Sequence, residues 1–310
     1  MGDTAQISSW RLNTLLLSAC RRSLAVIGAL LLVAVPCQAQ DKEPLDALLR
    51  ESVHRIEVTV TDYFGRTETL PVLVTEFRPL DAKPHPLLIL NHGRAVDPQK
   101  RKARQRMIKL AEWFVGRGFV VMVPTRIGYG PGVNLLDPEY VNACKAVSLE
   151  RQNLALLSQI SAVHALAATL PEVDARRWLI AGVSVGGYVA TTLARYAPPG
   201  LTGAINFSGG YGGDPDRKRG QPCGAWAWEK ELSRPVTGPA VPVLWLYWQN
   251  DYFWGDRQPV AWFKAFVAGG GQGEFMQFQE LKDTDGHLGM ARDMQHWADP
   301  VDRFLFKVMQ

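Results

Sequence analysis

The chain has 310 residues, 47% of them hydrophobic and 21% charged, which excludes a disordered polypeptide and permits one α/β domain with a large core. Its net charge is +4, and residues 1–39 carry half of it through Arg11, Arg21, Arg22 and Asp3, so the remainder is close to neutral and no nucleic-acid partner is expected. Ten tryptophans and eight tyrosines exceed the needs of a core alone, so some are candidates to line a cleft.

Arg21-Arg22 precedes a charge-free run from Leu24 to Val35, followed by Pro-Cys-Gln-Ala39. A basic n-region, an apolar h-region and a small residue before the cut describe a signal peptide over residues 1–39, cleaved between Ala39 and Gln40. Twelve apolar residues are too few to span a bilayer comfortably, so the mature chain, residues 40–310, is expected to be periplasmic or secreted with no stable membrane span. The paired arginines weakly resemble a twin-arginine signal. Export removes Cys20 and Cys37 and leaves Cys144 and Cys223, which either form a disulfide in an oxidising compartment or remain as two buried thiols.

A short helix is expected over 44–51. Residues 53–62 alternate with period two and read as a half-exposed strand, and residues 70–77, beyond the turn Tyr63-Phe64-Gly65-Arg66, as the returning strand of a hairpin. Continuous apolar runs at 87–91 and 119–124 read as strands covered on both faces. Between them, 100–116 reads as an amphipathic helix whose solvated face carries Lys100, Arg101, Lys102, Arg104 and Arg106. A long helix is expected over 144–170, then a strand ending near Gly182 and a helix from Gly187 to Ala194. Strands at 203–208, 242–247 and 274–279 alternate with helices at 260–267 and 293–308. This order predicts a mostly parallel eight-stranded sheet with right-handed crossovers, flanked by helices and entered by an antiparallel hairpin. Residues 130–145 and 209–240, rich in Gly, Pro and polar residues, leave the repeat after strands 4 and 6 and read as lid loops at the ligand-binding edge.

The pentapeptide Gly182-Val-Ser184-Val-Gly186 lies between an apolar strand and a helix, the setting of a nucleophile elbow. Ser184 is the candidate nucleophile, and Gly182 and Gly186 suit the tight turn; read alone, the pattern fits equally a passive Gly-rich connection. A serine nucleophile needs a base, and the base an orienting acid. Asp251 follows the strand 242–247, ahead of the alternatives Asp256, Asp283 and Asp285. His287 follows the last strand, whereas His54, His85 and His164 come early and His296 belongs to the closing helix. The amide of Val185 and that of Arg94, in the loop Asn91-His92-Gly93-Arg94, are the candidate oxyanion donors, with His92 and Gly93 supporting the loop. No metal or cofactor is called for, because the histidines and mature cysteines lack ligand spacing.

With Asn91-His92-Gly93, Pro124-Thr-Arg-Ile-Gly128-Tyr129-Gly130, the elbow, Trp245-Leu-Tyr247 through Asp251 and Asp285-Gly-His287, the chain resembles the α/β-hydrolase superfamily, in its bacterial dienelactone-hydrolase-like branch. The resemblance implies Ser184, Asp251 and His287 as a catalytic triad. Dienelactone hydrolases carry a cysteine where this chain has Ser184, which points away from dienelactone as substrate. A serine hydrolase acting on a small carboxylic ester is the leading expectation. A peptidase or amidase of prolyl-oligopeptidase type shares the triad but usually brings an N-terminal domain for which the residues after position 39 leave no room, and a silent hydrolase fold used for binding is the reading from another class. Tyr129, Tyr211, Trp248, Phe253 and Trp254, with Trp226 and Trp228, fall in or beside loops at the active edge and are the pocket candidates. The oligomeric state is left open.

Overall fold

The computed structural model describes residues 49–310 apart from 96, 134 and 237. The expected signal peptide and most of the 44–51 helix lie outside the described residues, and Leu49–Glu51, assigned to that helix, belong to a strand instead. The hairpin is longer than its period-two core: β1 (Leu49–Thr61) pairs along its whole length with β2 (Thr67–Pro79), from Leu49 opposite Pro79 to Thr61 opposite Thr67. Then follow β3 (His85–Asn91), β4 (Val120–Thr125), β5 (Val173–Val183), β6 (Leu201–Phe207), β7 (Val243–Trp248) and β8 (Gly273–Phe278). They form one sheet in the order β1-β2-β4-β3-β5-β6-β7-β8, antiparallel at β1/β2 and β2/β4 and parallel elsewhere.

Successive side chains of a strand point to opposite faces, and a sheet covered on both sides is apolar on both. Leu87 and Ile89 of β3, Ile180 of β5 and Trp245 of β7 meet one layer, made of α2 (Glu150–Ala167), α3 (Val185–Tyr196), α4 (Ala225–Leu232) and α5 (Gln258–Ala268). Leu88, Leu90, Leu179 and Leu246 meet the opposite layer, α1 (Ile108–Val115) and α7 (Met294–Val308). A single turn, α6 (Gly289–Arg292), precedes α7.

The basic segment does not form the expected helix. Only Pro98–Arg101, as a 3-10 turn, and α1 are helical; Met107, at φ 50°, stands at the N-cap of α1 and interrupts any helix running in from Lys100. Arg104 and Arg106 turn back to the hairpin, where both donate to the Glu51 carboxylate, Arg104 at 2.8 Å and Arg106 through Nε at 2.8 Å. Ion pairing across 53 and 55 residues, not solvation, claims these cations. Residues 209–240 also differ from a plain loop, since they contain α4, whose Trp228 and Leu232 are buried against the sheet.

The α7 layer is anchored by Trp297. Its fully buried indole lies 5.0 Å from the Trp113 ring and 5.1 Å from the Phe207 ring, and its N–H donates to the Met290 carbonyl at 2.9 Å. Truncating a buried aromatic removes its transfer free energy and leaves a cavity. Trp297→Ala should therefore cost about 3–5 kcal/mol, read as a fall in the urea midpoint with the slope unchanged.

Candidate active site

The strand-to-helix turn is sharp because glycine stands where the backbone must touch itself. A Cβ on Gly182 would overlap Gly186, and one on Gly186 would overlap the Asn91 carbonyl at the end of β3. Ser184 sits between them at φ 56°, ψ −124°, a conformation that a non-glycine residue holds only when its surroundings enforce it. Those surroundings are hydrogen bonds. Ser184 N–H donates to Phe207 O at 3.0 Å, and its carbonyl accepts from Tyr188 N at 3.0 Å and Gly210 N at 3.2 Å. The elbow is thus pinned to its own helix and to the adjoining strand, and Val185 starts α3 with its amide in the unpaired first turn.

Asp251 and His287 come together at the ends of β7 and β8. His287 Nδ1 lies 3.0 Å from Asp251 Oδ2 and 3.1 Å from Oδ1. The carboxylate cannot donate, so Nδ1 carries the proton and Nε2 keeps a lone pair. Asp251 Oδ1 also accepts from the amides of Phe253 at 2.9 Å and Trp254 at 3.1 Å. Asn250 joins the two loops: its side chain donates to Leu281 O and Thr284 O and accepts from Leu281 N, each at 2.9 Å, and its carbonyl takes the Gly286 amide at 3.0 Å. Asp285 adds a second tie by accepting from Tyr252 N at 2.8 Å and His287 N at 2.9 Å. The imidazole stacks on Phe253 at 4.0 Å and meets the Trp254 ring edge-on at 5.5 Å.

The other acids and histidines are engaged elsewhere. Asp283 occupies a turn at φ 56°, and Asp285 serves the loop as described. His54 pairs with Glu76, His85 with Asp81, His164 with the Ala175 carbonyl and His296 with Asp293.

On the β3 side, a Cβ on Gly93 would come within 3.1 Å of Ser184 Cβ, so the loop carrying Arg94 lies directly against the elbow. His92 braces it. Its Nδ1–H donates to Gly93 O at 2.7 Å and its Nε2 accepts from Arg126 N at 3.3 Å, which requires the neutral ring. Burial and the neighbouring Arg126 cation both push its pKa well below the ordinary range.

Beneath the loop lies a buried ionic network that the sequence did not reveal. Arg126 donates through Nε to Glu139 at 2.6 Å and through a terminal nitrogen to the His92 carbonyl at 2.8 Å. Glu139 also accepts from Tyr129 Oη at 3.2 Å and Arg94 at 3.4 Å, while Arg94 grips Asp137 with both terminal nitrogens at 2.8 and 2.6 Å. Burial alone would raise the Glu139 pKa, but Arg126 and Arg94 hold it below the ordinary value. An arginine closing an all-apolar strand was the available signal for Arg126; Glu139, in an aperiodic Gly- and Pro-rich segment, offered none.

Ser184, Val185, Arg94, Tyr211, Phe253 and Trp254 face one cavity of about 290 Å³, walled on its far side by Tyr140–Ala143 and by Gln152. Of the five aromatic pocket candidates, Tyr211, Phe253 and Trp254 line this cavity. Tyr129 and Trp248 do not: Tyr129 is buried against His92 at 4.4 Å, and Trp248 points into the α7 layer, where its N–H donates to Asp293 at 2.7 Å. As the last residue of β7, Trp248 takes the face that the strand alternation assigns it. Trp228 belongs to the core and Trp226 is exposed. Cys144 and Cys223 form a disulfide that joins the 130–145 segment to the 209–240 segment, and Cys223 N donates to the carbonyl of Gly212 in the cavity wall at 2.8 Å. Among the described residues, no helix is long and apolar enough to cross a membrane, and no group of three His, Cys, Asp or Glu side chains could hold a metal ion.

No family model and no curated protein matches the chain. Solved structures do. A candidate dienelactone hydrolase from Klebsiella pneumoniae is similar over 84% of this chain and 99% of its own, at 17% identity and a TM-score of 0.53. A cold-adapted esterase from an Arctic intertidal metagenomic library is similar over 86% and 97%, at 15% identity and a TM-score of 0.55. An acylaminoacyl peptidase from Pyrococcus horikoshii is similar over 83% of this chain but only 42% of its own, at 13% identity and a TM-score of 0.51. At these identities the likeness shows the fold, which is the α/β-hydrolase fold that the sequence motifs pointed to.

Glu139→Gln removes the one carboxylate paired with the fully buried Arg126. Leaving a buried cation without its partner costs about 3–5 kcal/mol, measured as the difference in urea stability at pH 7. Because the folded pKa of Glu139 is depressed, the pair's contribution is complete above the unfolded value near 4.5 and is lost as the pH falls through the folded value. The gap between wild type and variant should accordingly narrow as the pH is lowered below 4.5, and a gap that widens there contradicts the assignment.

Proposed function

We propose that the chain is an exported serine hydrolase that cleaves a small carboxylic ester through an acyl-enzyme on Ser184. The observation that carries this reading is the His287 ring, held by Asp251 in the tautomer whose Nε2 can accept a proton, beside the two aromatic residues that share a cavity with Ser184. In the proposed reaction His287 Nε2 takes the hydroxyl proton as Ser184 Oγ bonds to the ester carbonyl carbon. The amides of Val185 and Arg94 receive the negative charge on the carbonyl oxygen, where loss of one donor costs about 10²–10³-fold in turnover. Collapse expels the alcohol, which takes the proton from His287. A water deprotonated by the same ring then attacks the acyl-enzyme and releases the acid.

The Ser184 backbone, at φ 56°, ψ −124° and so outside the left-handed helical region, supports a nucleophile rather than a passive turn. Glu139, Arg126 and Asn250 act as positioning residues. Tyr211, Phe253 and Trp254 contact the bound ester, and Tyr129 supports the oxyanion loop from behind. The fold shared with acylaminoacyl peptidase makes amide cleavage the second reading; the chain spans about two-fifths of those peptidases. For localisation, the signal-peptide pattern of residues 1–39 and the Cys144–Cys223 bridge both suit an oxidising compartment.

A fluorophosphonate probe should label the folded protein on Ser184 and leave Ser184→Ala unlabelled, and Asp251→Asn should lower kcat for a p-nitrophenyl ester by about 10³–10⁴-fold through loss of the imidazole tautomer. Absence of label on Ser184 in the wild type would overturn the reading. Faster turnover of a peptide anilide than of the matched ester would replace esterase with amidase.

A further inference from the structure

Beyond the cavity mouth, three aromatic side chains from distant parts of the chain meet at the surface. Tyr63 and Phe64 lie in the β1–β2 turn, and Tyr140 lines the same cavity as Ser184. The Phe64 and Tyr140 rings are stacked, 5.6 Å apart and inclined by 15°, and Tyr63 meets each of them edge-on, at 5.3 and 5.4 Å. The cluster is not covered: Phe64 is 68% exposed and Tyr140 is 39% exposed. A single exposed apolar side chain is ordinary, but a stacked pair continuous with a cavity is a binding surface in want of a ligand.

The turn is built to hold Phe64 still. The buried Asp62 accepts from the amides of Phe64 and Arg66 at 2.9 Å each and from Arg66 Nε at 2.7 Å, and Gly65 takes φ +85°. The turn is then fastened to the cavity-lining Asn142, whose side chain donates to Tyr63 Oη at 3.5 Å, and to residues just beyond, as Tyr63 Oη donates to Ala146 O at 3.2 Å and Arg151 donates to Tyr63 O at 2.8 Å. A surface ordered before binding loses little entropy when it is occupied.

What it can hold follows from which atoms remain unused. Tyr63 Oη is engaged with Ala146 and accepts from Asn142, and Tyr140 Oη donates to Asn142 Oδ1, so the hydroxyls are already partnered. Ring faces and edges are what is left, which suits a flat apolar ring better than a sugar bristling with hydroxyls.

We propose that Phe64 and Tyr140 form an aromatic platform at the rim of the active-site cavity that binds an aryl group of the ester substrate, some distance from the scissile bond. The proposal rests on the ester reading of the same site and specifies its substrate as an aryl-bearing, elongated ester. Phe64 is then a specificity-determining residue.

The test measures binding and turnover separately. Calorimetry on Ser184→Ala titrates 3-phenylpropyl acetate and methyl 4-phenylbutanoate, which place the ring on the alcohol or the acyl side, against the cyclohexyl analogues and an acetylated glucoside. At least one phenyl ester should bind more tightly than its cyclohexyl analogue and than the glucoside, and adding Phe64→Ala should weaken it by about fivefold, the size of one aromatic pair. Phe64→Trp should keep the affinity and Phe64→Leu should lose it. Phe306→Ala, which removes an exposed ring on α7 (73% exposed), should change nothing. Equal affinity for phenyl and cyclohexyl esters, preference for the glucoside, or indifference to Phe64→Ala overturns the platform. Kinetics on the otherwise unmodified chain read the other claim: if no ester is turned over while the Phe64-dependent binding persists, the ester reading falls and the platform stands.

Discussion

The contact on which the site depends is backbone against backbone. The first turn of α3 lies so close to the end of β3 that Gly186 has no room for a side chain beside the Asn91 carbonyl. That approach brings Gly93, and with it the loop carrying Arg94, against Ser184. A methyl group at Gly186 would drive the loops apart, and no adjustment of Ser184 could restore the arrangement. Close packing, and not any property of the serine, is therefore the first requirement of the proposed chemistry.

Two supports of different kind hold the halves of the site. The Asp251–His287 half is local to the ends of β7 and β8, and it is fastened to backbone groups by the amide side chain of Asn250 and by the Asp285 carboxylate. The Arg94 half is ionic, with three arginines and two acids gathered about the loop. Buried charge is costly to assemble and costly to disturb, so this half is the more exposed to acid. Ser184 stands apart from both, its main chain bonded to Phe207, Tyr188 and Gly210.

Much of this was legible in the sequence, and the reason is local. Continuous apolar runs mark β3 to β7 because those strands are covered on both faces, and the Gly-x-Ser-x-Gly spacing follows from a clash within five residues. The order Ser184, Asp251, His287 could be read because each residue directly follows a recognisable strand. What escaped were pairings between distant charges. The Arg104 and Arg106 contacts with Glu51, and the Glu139 contacts with Arg126 and Arg94, leave no periodic trace, so the basic run reads as a helix face and Glu139 carries no signal. Trp248 and Tyr129 show the same limit from the other side: proximity to the active edge in sequence does not decide which face of a strand or loop a ring takes.

The Cys144–Cys223 bridge has a topological meaning besides its place in the cavity wall. It closes a covalent ring that contains α2, β5, the elbow, α3 and β6, while Asp251 and His287 lie outside it on the tail. An oxidised chain that unfolds still keeps the segment bearing Ser184 looped, and for a ring of this length chain statistics put the lost freedom at about 4.5 kcal/mol. The segment that carries Ser184 therefore begins each refolding with its ends already joined. Adding β3 and the strands beyond it to the edge of β5, and β7 and β8 to the edge of β6, is left to non-covalent forces.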